Sequence, residues 1–297
     1  MSAPADTPTL LLSVDFEDWH QLVRRRLGEP DWQRAGPALA RQTAALLALL
    51  DELGVRATFF LLGVAARSHP ELVHAIARGG HEIACHGDQH RPVHSQTPTE
   101  FARDLRAARA TIEQLTGSAP AGYRAPAFSI TASARWAYGV LAQEGFAYDS
   151  SQHDSPRIRG RVVPASDRPH ELALAGGATL WEFPLAVWRR GGARLPVGGA
   201  SYWAVLPNAL VLRGLARAGE MGGLYLHPHE LDPEPLRAAL GAAAPAATQA
   251  RATLRGLQRN LARRRAPELL RAIARRHRLI TYGEAHAQLS DRARART

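Results

Sequence analysis

The chain contains no lysine. All 37 of its basic residues are arginine, and they set a formal net charge of +10. Missing lysine beside abundant alanine is what a GC-rich genome writes, so the charge alone does not argue for nucleic acid. The single cysteine, Cys85, excludes an intrachain disulfide and fits a reducing compartment. No apolar run approaches the roughly 20 residues that span a bilayer. The N-terminus, "MSAPADTPTLLLSVDFEDWH", has no basic n-region and only the short apolar run Leu10 to Val14, so it does not read as a signal peptide. The expectation is a soluble cytoplasmic protein. Internal repeats are absent, as is any low-complexity segment beyond the Ala/Arg bias.

What is present is a chain of 297 residues, 45% hydrophobic and 22% charged, long enough to bury a substantial core. Short apolar runs at 9–14, 56–63, 81–85, 179–187 and 223–227 read as buried strands. Helical periodicity marks 36–54, 64–78, 98–116, 131–144 and 207–218. Pro37 and Gly54 bracket the first of these, and "TPTE" opens the third with a capping sequence. Strand and helix alternate every 25 to 30 residues, which predicts βα units around a parallel sheet or barrel. Residues 150–178 and 189–201, rich in Gly, Pro, Ser and Arg, read as loops or hairpins inserted into one domain spanning 1–297. Its core is expected over about 9–235, with an Arg-rich, mostly helical extension at 246–297.

Polar residues crowd the strand ends. Asp15, Glu17 and Asp18 follow the first strand, His86 and His90 the third; Arg124 lies in "GYRAPAF", and His227 ends "GLYLH". In barrels of βα units the C-terminal strand ends carry the chemistry. Imidazole is the commonest metal ligand, and the His86/His90 spacing lets two rings converge on one ion, with Gly87 free to turn the chain sharply. Taken alone that spacing is weak, since the chain has 13 histidines. "SVDFEDW" adds three acids in four residues, which repel one another unless a cation compensates. Arg124, in a nearly uncharged stretch, is a natural partner for Asp15.

Together "SVDFEDW", "HGDQH", "YRAPAF" and "LYLHPHE" resemble the polysaccharide deacetylase (NodB-homology) family. "LWEFPLAVWR", "LPVGGASYW" and "HPHELDP" are similar to its subgroup associated with exosortase and exopolysaccharide loci. The resemblance spans about residues 9 to 235. It implies an α/β fold, a distorted (β/α) barrel with about seven strands, and a divalent metal, usually zinc, with cobalt as an alternative. It also implies hydrolysis of the acetamide of N-acetylated amino sugars, releasing acetate without an acyl-enzyme. By the same resemblance Asp15 is the base, Arg124 the arginine that holds it, His227 the general acid, and His86 and His90 metal ligands. The commonest first motif has two adjacent aspartates, whereas here Phe16, Glu17 and Asp18 follow Asp15. The metal carboxylate is therefore Glu17 or Asp18, with Glu17 favoured because related deacetylases with a D-x-D pattern place the ligand two residues after the base. "DSSQHDSPRIRGR" (149–161) departs from the subgroup where a loop would shape the sugar site.

Trp19, Phe128 and Trp203 are the sugar-contact candidates. Cys85 should point into the core, opposite His86. His94 matches no ligand. His229 and Glu230 either support His227 or cap a helix. The basic run 251–278 carries apolar positions Leu254, Leu257, Leu261, Leu269, Leu270 and Ile273, which read as a helical face packed on the barrel. No nucleic-acid motif accompanies it, so the expected partner is an N-acetylated glycan, with weak contact to an anionic membrane surface or lipid-linked substrate. A same-superfamily hydrolase of another amide or cyclic imide, or a glycan binder without turnover, are the rival readings; oligomeric state is not encoded in any of these patterns.

Overall fold

The computed structural model describes residues 7–154, 166–238, 240, 244–260 and 263–295. Among the described residues eleven strands run in chain order: β1 Thr9–Phe16, β2 Thr58–Leu61, β3 Glu82–Cys85, β4 Gly122–Tyr123, β5 Tyr148–Asp149, β6 His170–Ala173, β7 Thr179–Glu182, β8 Val187–Arg190, β9 Ala193–Pro196, β10 Gly222–Leu226 and β11 Arg278–Ile280. The helices are α1 Trp19–Arg26, α2 Leu39–Leu53, α3 Gly63–Ser68, α4 Pro70–Arg78, α5 Pro98–Thr116, α6 Trp136–Gln143, α7 Ala200–Trp203, α8 Asn208–Leu215, α9 Ala246–Asn260, α10 Ala266–Ala274 and α11 Tyr282–Arg294.

The main sheet has the order β10-β1-β2-β3-β4-β5-β7, all pairings parallel, with β6 antiparallel on the β7 edge. Leu185, just past β7, bridges in parallel to Gly223 of β10, which brings the ends of the curled sheet together. This is the distorted barrel that the βα alternation predicts. Residues 189–201 do form a hairpin in part, β8–β9, turned by Gly191 and Gly192 at φ 52 and 81, where glycine carries no steric cost.

Side-chain alternation along β1 divides its residues between two layers. Leu10, Leu12, Val14 and Phe16 enter the large core beneath the helices, while Leu11 joins Phe60, Tyr148, Phe183 and Tyr282 inside the curl. Ser13 and Asp15 share the phase of Leu11, so the strand aims a carboxylate inward at its last turn. Parallel register carries one level across the sheet: Phe16, Leu61, Cys85, Tyr123, Asp149 and Glu182 are successive partners. The next residue on each strand, including Glu17, His86 and Arg124, therefore emerges on the same rim.

Helix ends follow local chemistry. Thr97 and Glu100 complete a capping box on α5, and Gly54 closes α2 in the left-handed region at φ 62. The 64–78 segment, expected as one helix, is two, α3 and α4. Pro70 cannot donate a backbone bond and its ring would clash inside a continuous helix. The Arg-rich C-terminal segment supplies β11, which pairs with Thr9 to Leu11 of β1, and the buried residues Leu269, Leu270, Ile273 and Tyr282. The apolar core thus reaches well past residue 235.

Candidate active site

The rim gathers Asp15, Glu17, His86, His90 and His227 around a cavity of about 360 Å³, whose wall also includes Phe128, Tyr202 and Tyr225. Arg124 lies beneath it, fully buried. Its Nη1 donates to Asp15 Oδ1 at 2.7 Å and to Ser13 Oγ at 2.6 Å; its Nη2 donates to Ser150 Oγ and to the Tyr282 hydroxyl, each at 2.9 Å; its Nε donates to the Ser150 carbonyl at 3.1 Å. The guanidinium also lies 4.1 Å over the Phe60 ring. A buried cation with every donor engaged is the arrangement that makes burial of Asp15 tolerable.

The backbone of Arg124 does a second job. Its carbonyl accepts from His86 Nδ1 at 2.8 Å. A carbonyl only accepts, so His86 carries its proton on Nδ1 and turns the Nε2 lone pair toward Glu17, 3.8 Å away. Gly87 at φ 76 and His90 at φ 53 then fold the chain back, so that His90 Nε2 comes within 3.0 Å of Glu17 Oε2. Asp104 of α5 holds this loop by accepting from the amides of Asp88 and Gln89. Donor atoms of Glu17, His86 and His90 lie within 4.8 Å of one another. Two imidazoles and one carboxylate, with a cavity on the open side, fit a divalent ion that keeps coordination positions free.

Charge within the cluster is self-compensating. Burial pushes Glu17 up, but the neighbouring His90, His227 and His86 override it and hold the carboxyl far below its usual range. His86 is lowered, chiefly by burial, which favours the neutral ring that a ligand must be. Burial also works against charge on His227, yet Glu230, with Glu17 and Asp15 behind it, raises that imidazole to about 9. Glu230 accepts from the His227 backbone N–H at 2.9 Å, lies 3.3 Å from Nδ1, and is itself fixed by the Ser201 hydroxyl at 2.8 Å. His227 Nε2 is thereby aimed at the cavity, 3.6 Å from Glu17 Oε1.

Asp18 is not part of the cluster. Its carboxylate accepts from the His20 amide at 2.8 Å and the Gly36 amide at 2.5 Å, capping α1. A Cβ at position 36 would stand 2.6 Å from both Asp18 oxygens, so Gly36 is what lets this second strand of chain approach. Of the two carboxylates left open by the sequence, Glu17 faces the histidines.

Two aromatic candidates also move. Trp19 is only 5% exposed, packed edge-on against His20 and near His229 and Leu236. Trp203 is 1% exposed, with its indole N–H donated to the Val197 carbonyl. Both rings are core, because each begins or ends a helix whose apolar side faces the barrel. Phe128 does line the cavity, half-buried against Tyr225 and His153. Tyr202, Tyr225, Arg26 and Arg259 are among the wall residues that sequence reasoning did not select; Tyr225, on β10 two residues before His227, was readable as inward-facing, whereas the arginines carry no local signal. Of the four non-glycine residues with positive φ among those described, His90, Ala127 and Phe128 lie on this wall, where such backbone strain is often stored, and Met221 does not. Cys85 is fully buried with its thiol pushed up to about 12 by that burial, and His94 is exposed. Of the 149–161 loop, residues 155–161 lie outside the described residues.

Residues 35–144 match the family model described as polysaccharide deacetylase, and residues 150–284 match a domain of unknown function, DUF3473. A chitooligosaccharide deacetylase from Bradyrhizobium sp. (strain ANU 289) is 32% identical over 134 residues, 45% of this chain and 58% of the relative. The peptidoglycan deacetylase-like protein FGM2 of Gibberella zeae is 33% identical over 108 residues, 36% of this chain and 31% of the relative. The chain thus spans less than two thirds of the curated relatives it matches. A crystal structure described as a "putative polysaccharide deacetylase from Mycobacterium smegmatis" superposes with a TM-score of 0.61 at 23% identity, over 100% of this chain and 93% of that one, which speaks to the fold. Residues 35–144 are thus similar to polysaccharide deacetylases by family model and by named relatives, and the superposition supports a shared fold.

Proposed function

We propose that this chain is a metal-dependent carbohydrate N-deacetylase acting on N-acetylated amino sugars of an exopolysaccharide or its precursor, with zinc as the ion. The observation that carries the proposal is the placement of Glu17, His86 and His90 between two held groups, Asp15 on Arg124 and His227 on Glu230, around one open cavity. Glu17, His86 and His90 would hold the ion, which when bound supplies Lewis acidity toward water and an amide carbonyl. Asp15, locked by Arg124, is the base that takes a proton from the attacking water. His227, aimed by Glu230, returns a proton to the leaving amine at Nε2. Phe128, Tyr202 and Tyr225 offer faces against which a sugar ring can pack. The exopolysaccharide substrate and the exosortase-associated subgroup rest on the motif resemblance, chiefly "LWEFPLAVWR" and "LPVGGASYW".

The test is acetate release from N-acetylglucosamine oligomers by chelated protein, with and without added zinc or cobalt. Release that returns with metal and disappears in Asp15→Ala supports the reading. Stoichiometric metal without release would redirect it to a different amide, and no metal binding would remove it.

A further inference from the structure

Helix α9 packs with its small residues inward. Ala252 is buried, and Gly256 sits so close to the body that a Cβ there would be 3.0 Å from the Leu236 carbonyl and 4.0 Å from the Trp19 ring. The leucines expected to face the barrel do the opposite: Leu254 is 54% and Leu257 60% exposed, three residues apart on the outer side. With Val205, 66% exposed, they are the exposed large hydrophobic residues among the described ones. Leu261, the next apolar position, lies outside the described residues.

On the flank of α9 between this ridge and the body runs a stripe of arginines, Arg251, Arg255 and Arg259, four residues apart. The helix contains no acidic residue. Arg259 reaches the wall of the catalytic cavity, where it meets Arg26 from the end of α1. Burial, and after Glu17 the charges of Arg255 and Arg259, bear on the Arg26 guanidinium, so these cations crowd one another. Among the described residues none of the four has a carboxylate within ion-pair distance. An apolar ridge flanked by uncompensated cations calls for a surface that is negatively charged outside and apolar just beneath.

We propose that α9 seats on an anionic lipid bilayer surface, with Leu254 and Leu257 entering the headgroup layer and Arg251 and Arg255 over the anionic headgroups. A protein partner fits less well, because a stable protein interface uses roughly 20–30 residues a side, while the ridge offers two apolar side chains. No helix among the described residues is long and apolar enough to cross a membrane; a basic helix with a narrow apolar edge lies in the interface plane. The proposal does not depend on the deacetylase reading, since lipid binding is measured without substrate.

The experiment is co-sedimentation of the whole chain with vesicles of phosphatidylcholine alone and of phosphatidylcholine mixed with phosphatidylglycerol, at low and at physiological salt. Partitioning onto the mixed vesicles only, weakened by salt, is expected. Arg251→Gln with Arg255→Gln should lower it about 25-fold, each arginine near an anionic surface contributing about fivefold. Leu254→Ser with Leu257→Ser should lower it about tenfold or more while leaving the melting temperature unchanged, because both side chains are solvated in the free protein. Absence of wild-type binding to the mixed vesicles at low salt overturns the proposal. So does binding that survives Leu254→Ser with Leu257→Ser, or a lipid-free dimer, detected by light scattering, that those substitutions dissolve and that assigns the ridge to a second copy.

Discussion

Arg124 holds Asp15 through a 2.7 Å bond from Nη1 to Oδ1, with both side chains out of solvent. Removing one member of such a pair leaves the other charge buried without a partner. Arg124→Ala should therefore cost roughly 3–5 kcal/mol of unfolding free energy, read by urea titration, and activity should vanish with it. Asp15→Asn keeps an oxygen for the guanidinium to meet, so it should lose less stability while acetate release falls by about 10²–10⁴-fold. An Asp15→Asn protein with near wild-type turnover would remove the base from Asp15.

Glu17 and Asp18 are adjacent in sequence and separate in role. Glu17→Gln should abolish stoichiometric zinc binding, measured by elemental analysis after dialysis. Asp18→Ala should retain the metal but unfold more easily by about 1–3 kcal/mol, because the His20 and Gly36 amides lose their acceptor. The reverse pattern would reassign the ligand.

Asp149 and Glu182 face each other across β5 and β7, wholly buried. Burial raises Asp149 to about 6, and burial together with the Asp149 charge raises Glu182 well above the usual carboxylate range. A group whose folded-state pKa is raised contributes stability that is complete below its unfolded value and is lost as pH rises through the folded one. The pair's contribution is therefore complete in acid and falls as pH rises above the usual carboxylate range, Asp149's share being gone above about pH 6 and Glu182's at higher pH. Glu182→Gln can still donate to Asp149 without titrating. Its urea midpoint should fall less between about pH 5 and about pH 8 than that of the wild type. Equal falls would mean that the pair does not share a proton.

Gly87 adopts φ 76 between the two histidines, and a Cβ there would stand 2.8 Å from Asp104 Oδ2. Gly87→Ala should cost about 1–2 kcal/mol from the backbone alone. It should also weaken metal binding, because the turn that returns His90 to Glu17 must open. Calorimetric titration with zinc beside a thermal melt separates the two effects; a variant unchanged in both would show that the loop adapts.

Part of this site was legible from the chain alone, for reasons that are local. An acid directly after an apolar strand, an i, i+4 histidine pair at the end of the third strand and a lone arginine in an apolar stretch are each set by strand period and turn chemistry, which neighbouring residues control. The α5 capping box and the Gly54 stop on α2 belong to the same kind of information. The choice between Glu17 and Asp18 was not local: it depends on Gly36, 18 residues on, bringing an amide to Asp18.

The sequence by itself determined the βα alternation and put Asp15 and the His86 and His90 side chains at strand ends, because periodicity and short-range sterics suffice for that. Only the tertiary structure decided that Tyr282 would reach Arg124 from 158 residues away, that Trp19 and Trp203 would be core, and that Leu254 and Leu257 would face outward. Each of these turns on which surface a residue meets across the fold. An apolar side chain carries the same sequence signal whether a partner covers it or solvent does.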